Sequence, residues 1–219
     1  MSVVRLILAA LAALGSVLSV RLWSGIAYVR LRAHGAAVGR GLRVRGPIRL
    51  HCHRTAAIRI GVDCRIQSGF AGNPVGGSSR MAIWVGPGGR LTLGDRVGLS
   101  NSTIVCLSSV TIEDDVFLGG DSKIYDTDFH SLDAEERSLP GNPGARTAPV
   151  TIHRHAFVGG HAILLKGSVI GAAAVVGAGS VVRASVPEGE LWAGNPARFV
   201  RAVRPKARRR LVESLEAMR

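Results

Sequence analysis

Residues 124–133 read "IYDTDFHSLD" and bring Asp126, Asp128, His130 and Asp133 into one short stretch. An imidazole among carboxylates can act as a general base. Its pKa lies near neutral, and a neighbouring acid can fix its tautomer and stabilise the imidazolium. The same residues also make ordinary turns around a solvated histidine, so the stretch alone assigns no chemistry. The surrounding sequence has to decide, because a reactive group needs a scaffold that holds it.

The chain has 219 residues, 28 of them glycine, with many aliphatic and few aromatic side chains. Such a composition fits one large domain with a narrow interior and many sharp turns, and it excludes a disordered chain. Cys52, Cys64 and Cys106 are odd in number and show no paired spacing, so neither a disulfide framework nor a zinc ribbon is indicated. The net charge is +13, with arginines crowding the region before Asp63 and a basic cluster after Arg198. Basic ends call for an anionic partner. Nucleic acid is excluded, because aromatics for base stacking are scarce and no nucleic-acid motif is present. A peripheral contact with an anionic membrane is expected instead. The N-terminal run Leu6 to Val20 is uncharged and is followed by "RLWSGIAYVRLR". A helix over that run reaches about 22 Å, short of a roughly 30 Å hydrocarbon core, so lying at an interface is expected, with packing on the main domain, a cleaved signal peptide or a true span as the alternatives.

The organising feature is a period of six. From Ile152 a large aliphatic residue recurs at Val158, Leu164, Ile170, Val176 and Val182. Four residues after each stands a small or β-branched one: Ala156, Ala162, Ser168, Ala174, Ser180 and Val186. Shorter blocks precede it, with Leu93, Leu99 and Val105 in one and Ile112, Leu118 and Ile124 in the next. Val38, Val44 and Leu50, then Ile60 and Ile66, read as earlier turns, and residues 71–90 as an interruption. A period of six is neither helical nor a simple alternation. It matches a β-helix in which each piece is a short strand plus a corner, with the aliphatic residue pointing into a narrow prism. The register runs through Ile124 and resumes at Ile152, 28 residues later, which is not a multiple of six. Residues 125–149 are therefore an excluded loop, and "SLPGNPGART" within it cannot continue a coil. His130 thus sits at the root of a surface loop beside a rigid scaffold, where reactive groups are commonly held.

Residues 150–200, "VTIHRHAFVGGHAILLKGSVIGAAAVVGAGSVVRASVPEGELWAGNPARFV", resemble the hexapeptide-repeat acyltransferases, most closely the sugar and polysaccharide O-acetyltransferases. The resemblance covers roughly residues 36–202. It implies an all-β fold, a left-handed parallel β-helix, usually a homotrimer, with acetyl-CoA in a groove between subunits. It also implies a sugar or glycan acceptor and no metal. In the family this loop carries the catalytic histidine, which maps onto His130, with Asp128 or Asp126 as the supporting acid. The backbone N–H of Gly160 in "FVGG" falls where the family stabilises the developing oxyanion. Asn101 in "LSNSTIV" and Asp126 are the acceptor-side candidates. Gly160, Lys166, Ala178 in "VGAGSVV" and Arg198 in "AGNPAR" are the candidates to meet acetyl-CoA. Phe157 departs from the family's tryptophan, and the loop departs from the small-sugar enzymes.

The expected organisation is an N-terminal helical segment over 1–35, the β-helix over 36–202 and a short basic C-terminal helix over 203–219. The histidine pairs in "HCH" (51–53) and "HRH" (153–155) suggest metal ligands, but the spacing of His155 and His161 does not match the β-helix carbonic anhydrases, so these are expected to be surface histidines. Two alternatives stand beside the sugar acetyltransferase. One is a serine O-acetyltransferase, which would need a long helical N-terminal domain. The other is a non-catalytic β-helix scaffold. Dependence on acetyl-CoA favours a cytoplasmic location, at the inner face of the membrane.

Overall fold

The computed structural model describes residues 3–141 and 143–203, without the side chains of residues 3–4 and 6–13. The chain begins with helix α1 (Val3–Ala33) and then winds through a prism of parallel strands. The first coil holds β1 (Ala37–Val38), β2 (Arg43–Arg45) and β3 (Arg49–Cys52). The second holds β4 (Ala57–Ile60), β5 (Arg65–Gln67) and β6 (Ala82–Val85). Then follow β7 (Arg90–Leu93), β8 (Gly98–Ser100), β9 (Thr103–Cys106), and β10 (Ser109–Ile112), β11 (Phe117–Leu118), β12 (Lys123–Tyr125). After the short helix α2 (Ala134–Ser138) come β13 (Val150–Ile152), β14 (Phe157–Val158) and β15 (Ile163–Leu164). The last coils hold β16 (Val169–Ile170), β17 (Val175–Val176), β18 (Val181–Val182), β19 (Ser185–Val186) and β20 (Glu190–Gly194), on which β21 (Ala197–Ala202) folds back.

Every third strand pairs in parallel, which gives a first face from β1 to β19, a second from β2 to β20 and a third from β3 to β18. This is the triangular section of a left-handed parallel β-helix. The period of six is its cause, since the aliphatic residue of each hexad points inward. Ile60, Leu93, Ile112, Ile152 and Ile170 stack on the first face, and Ile66, Leu99, Leu118, Val158 and Val176 on the second. All ten are buried. The small residues four positions on are buried at the corners: Ala156, Ala162, Ser168, Ala174 and Ser180 are fully covered. Coil-to-coil contact there is close. A Cβ on Gly159 would sit 2.6 Å from the Ala178 nitrogen, and that atom belongs to a backbone with no freedom to move aside.

Three expectations need correction. The interruption is shorter than 71–90, because "MAIWVGPGGRL" supplies β6 and β7 with a tight glycine turn between them; only 68–81 leave the prism. On the third face Ile104, and not Val105, takes the inward place between Ile83 and Ile124. The slip in register therefore falls at Asn101, whose left-handed φ of 47° turns the corner one residue early. The excluded loop is not wholly irregular, since Asp133 caps α2 by accepting from the Glu135 and Glu136 amides, both at 2.9 Å. After β19 the chain folds into an antiparallel hairpin, β20–β21, that closes the second face.

Helix α1 is one continuous rod whose C-terminal half packs on the first coil through the buried Ala27 and Leu31. Ser24 Oγ accepts the Val44 amide at 2.8 Å, and Arg30 donates to the Ile48 carbonyl at 3.0 Å, so α1 closes the open end of the prism. Among the described residues no helix is long and apolar enough to cross a membrane. The basic C-terminal helix expected over 203–219 lies outside the described residues beyond Val203.

Candidate active site

The third face is flanked by two excluded loops. The first, 68–81, leaves at the corner where strands of this face begin, and the second, 126–149, leaves where β12 ends. The second loop closes on itself at its neck. The Asp128 amide donates to the Arg146 carbonyl and the Ala148 amide to the Asp126 carbonyl, both at 2.9 Å, around a Thr127–Thr147 bridge. Beyond that neck His130 is exposed, and its amide donates to the Asp128 carbonyl at 2.7 Å. Phe129 lies between them at φ 64°, a conformation that costs energy for a bulky residue. Its ring stands edge-on to Tyr125, with centroids 5.2 Å apart, which fixes the peptide leading into His130. Sequence reasoning missed Phe129 and Tyr125. Only the left-handed backbone marks the first of them.

Each carboxylate near His130 has a different role. The Asp128 carboxylate lies 3.3 Å from Lys166 Nζ, so Lys166 ties the neck of the loop to the next coil. Lys166, a candidate for the coenzyme phosphates, thus has a carboxylate partner within its own chain. Asp126 is fully buried, and its two oxygens accept the Leu107 and Ser108 amides at 2.7–3.0 Å. It cannot touch an acceptor, and it anchors the loop root to the preceding coil. Asn101 is likewise fully buried, taking the Gly69 amide at 2.6 Å and donating to the Asn73 and Val75 carbonyls. It holds the first loop and offers nothing to an acceptor. Asp128, Ser131, Asp133, Glu136 and Arg146, residues of the same loop as His130, line a polar cavity of about 470 Å³.

Gly160 lies at the opposite corner, where the strands of the third face begin. Its N–H makes no hydrogen bond among the described residues, and Gly159, Gly177 and the exposed Ala178 leave bare backbone around it. A Cβ on Gly160 would come 3.0 Å from the Gly120 carbonyl oxygen and 3.2 Å from Val75 of the first loop. Arg198 is exposed on the closing hairpin, and its guanidinium donates to the neighbouring Ala197 carbonyl at 3.2 Å. Gly160 and Ala178 thus share one corner, with Arg198 beyond them, while His130, Asp128 and Lys166 share the other. Within one chain these two sets stand at opposite ends of the same strands.

The remaining titratable groups are structural. Burial pushes all three thiols up, Cys106 to about 12 with the Asp126 carboxylate adding to the shift, so none supplies a thiolate. His153 and His161 lie 3.0 and 3.3 Å from Glu113 and Asp121, and His51 stacks on Trp84. Among the described residues no group of three or more His, Cys, Asp or Glu is placed to hold a metal ion. On the outside, the first face carries the row Thr92, Thr111, Thr151, whereas the second presents Phe117 beside Phe157 and the third presents Trp84 and Tyr125 on either side of the buried Val105. Phe117 and Phe157 are about half exposed, at 54% and 45%.

Residues 149–184 match the family described as the hexapeptide repeat of succinyl-transferase. Nodulation protein L of Rhizobium leguminosarum bv. viciae is 41% identical over 98 residues, which cover 45% of this chain and 50% of that protein. The chain spans about half the length of that curated relative. A crystal structure of a hexapeptide-repeat acetyltransferase from Vibrio cholerae superposes with a TM-score of 0.53 at 25% identity, covering 83% of this chain and 82% of that one. An N-acyltransferase variant from Bacillus cereus, crystallised with dTDP and coenzyme A, superposes with a TM-score of 0.63 at 19% identity, covering 86% and 96%, and it shares the fold.

Proposed function

We propose that this chain, similar in its repeats to the hexapeptide-repeat acyltransferases, moves the acetyl group of acetyl-CoA to a hydroxyl of a sugar or glycan, with His130 as general base. One observation supports the reading: an exposed histidine stands just beyond the packed neck of an excluded loop, and its chain neighbours Asp128 and Ser131 line a polar cavity. Hydroxyl-rich acceptors suit a wall of carboxylates and hydroxyls. In the reaction the neutral imidazole takes the acceptor hydroxyl proton as that oxygen attacks the thioester carbonyl. The Gly160 N–H donates to the negative oxygen that develops. The imidazolium then returns its proton to the departing thiolate. No acyl-enzyme is required, in keeping with three buried, protonated thiols.

His130 and Gly160 stand at opposite ends of the third face, so a complete site needs His130 from one copy and the Gly160 corner from another. Apolar rows on the second and third faces, set against the threonine row of the first, support assembly through those two faces into the homotrimer usual for such folds. Asp128 then acts by holding the loop through Lys166, and Arg198 is left as the cation for the coenzyme phosphates. The location we propose is cytoplasmic, where acetyl-CoA is available, with a peripheral contact to anionic membrane and a lipid-linked glycan among the acceptors to test. Thiol release from acetyl-CoA across a panel of sugars tests the assignment. His130→Ala should lower kcat about 10²–10⁴-fold and leave KM for acetyl-CoA nearly unchanged. A wild-type rate in that variant removes His130 from the chemistry. A stable oligomer that neither binds coenzyme A nor releases thiol is a scaffold.

A further inference from the structure

Between α1 and the second face of the first two coils runs an open groove of about 880 Å³, far along the prism from the Gly160 corner. Val17, Val20, Leu42 and Val44 form its apolar wall, and the charged residues on it are Arg21, Arg43, Arg45 and Arg65, beside the neutral Ser16, Ser24 and Gln67. No carboxylate lines it, and among the described residues none of the four guanidinia forms an ion pair. Like charges gathered on one cleft repel each other, and an anion between them would relieve that repulsion. Arg45 makes the point at atomic level. One of its terminal nitrogens donates to Ser16 Oγ at 2.5 Å, while its Nε is buried without a partner, as is Gln67 Oε1. An orphaned buried donor is costly and rare unless a ligand meets it.

A second, separate feature borders the groove. Leu14, Leu18, Leu22, Ile26 and Val29 are all exposed on α1. Their spacing sets them in one stripe opposite the buried Ala27 and Leu31. Val17 and Arg21 lie between this stripe and the coils. Cations over a cleft, with an aliphatic ridge alongside, match a molecule having an anionic head and an apolar tail. A nucleic acid would look for aromatic stacking platforms, and no aromatic side chain lines this groove.

We propose that this groove binds the phosphate head group of an anionic lipid, while the α1 stripe enters the acyl region beside it. The site rests on the membrane contact proposed above and not on the acyl-transfer chemistry. Flotation tests it, using the full chain with vesicles of phosphatidylcholine alone or with one-third phosphatidylglycerol. Wild type should float with the acidic vesicles only. Arg43→Glu with Arg65→Glu should cut the bound fraction tenfold or more, whereas Arg154→Glu, an exposed arginine several coils away, should not. Arg21→Gln with Arg65→Gln removes charge from the groove without reversing it and should lower binding severalfold, with circular dichroism and thiol release unchanged. Wild type that ignores acidic vesicles would sink the membrane contact itself. Groove variants that float like wild type would sink the groove alone. So would calorimetry showing inorganic diphosphate bound as tightly as the vesicles, because that marks a site for a soluble anion.

Discussion

Two segments leave the prism, and each is held by one fully buried polar side chain. The first loop, 68–81, is fixed from outside itself: Asn101, on the coil that follows, reaches three of its backbone groups. The second, 126–149, is fixed by its own first residue, since Asp126 reaches back to the Leu107 and Ser108 amides of the coil before. The first lies flat over the Gly120 and Gly160 corner. The second stands away on a two-stranded neck, carries a helical turn and exposes His130. Both loops are anchored by orphan-amide satisfaction, yet only the second stores backbone strain in a bulky residue. A covering segment needs a clamp alone. A segment that presents a side chain needs a clamp and a splint.

The largest break in that comparison should come from Asp126→Ala. Two amides would be left buried without acceptors, at roughly 1–3 kcal/mol each. Denaturant unfolding should show a loss of about 2–6 kcal/mol, and thiol release should fall with it as the neck loosens. Asp126→Asn keeps the shape and one acceptor, so it should recover part of both. Equal stability of wild type and Asp126→Ala would remove the clamp from the account.

Asn101→Ala should cost less, about 2–3 kcal/mol, because the first loop lies on the surface and water can reach its freed groups. Asn101→Gly separates two effects at one position. It restores freedom at φ 47° while losing the same hydrogen bonds, so any gain over alanine measures backbone strain. The predicted signature of a cover is a raised KM for acetyl-CoA with kcat retained. A drop in kcat alone would give this loop a presenting role as well.

How the sequence encodes these parts explains which of them could be read from it. An inward aliphatic residue at every sixth place is a local rule, so Ile152 to Val182 announce themselves and fix three faces at once. Corner slips break it: Val105 has the right chemistry one residue from the right place, and only the pairing of Ile104 with Ile83 and Ile124 reveals the shift. Asn101, Asp126 and Lys166 are polar residues with partners 18 to 38 positions away in the chain, a kind of contact no period carries. Their types suggested ligands because an unpaired asparagine or aspartate does suggest one. The structure supplies the pairing. His130 was legible as the lone histidine of an excluded loop, whereas the Phe129 splint beneath it was not.

Phe129 is the sharpest test of the difference between the loops. Phe129→Gly removes the ring against Tyr125 and relaxes φ 64° together. The two stability effects oppose each other, so the unfolding midpoint should move little. The imidazole loses its fixed approach, and kcat should fall about 10- to 100-fold with KM nearly unchanged, as misplacement of a catalytic group does. Phe129→Tyr keeps ring and strain and should retain most activity. If glycine is as active as wild type, the strain is incidental and the neck alone positions His130.

The smallest effect belongs under the first loop, at Asp121, which a Cβ added to Gly76 would approach to 2.9 Å. Partial burial raises its carboxyl, but Lys123 at 2.8 Å and His161 at 3.3 Å outweigh that and hold it below the ordinary carboxylate range. A folded-state pKa that is depressed contributes stability above the unfolded pKa and loses it as pH falls through the folded one. The contribution is therefore present at neutral pH and disappears below roughly pH 4. The pair is a quarter exposed and screened by solvent, so Asp121→Asn should cost only about 0.5–1 kcal/mol at neutral pH. Its stability should also fall less steeply than that of wild type on acidification. Parallel acid limbs for the two proteins would show that Asp121 contributes through shape beneath the loop and not through charge.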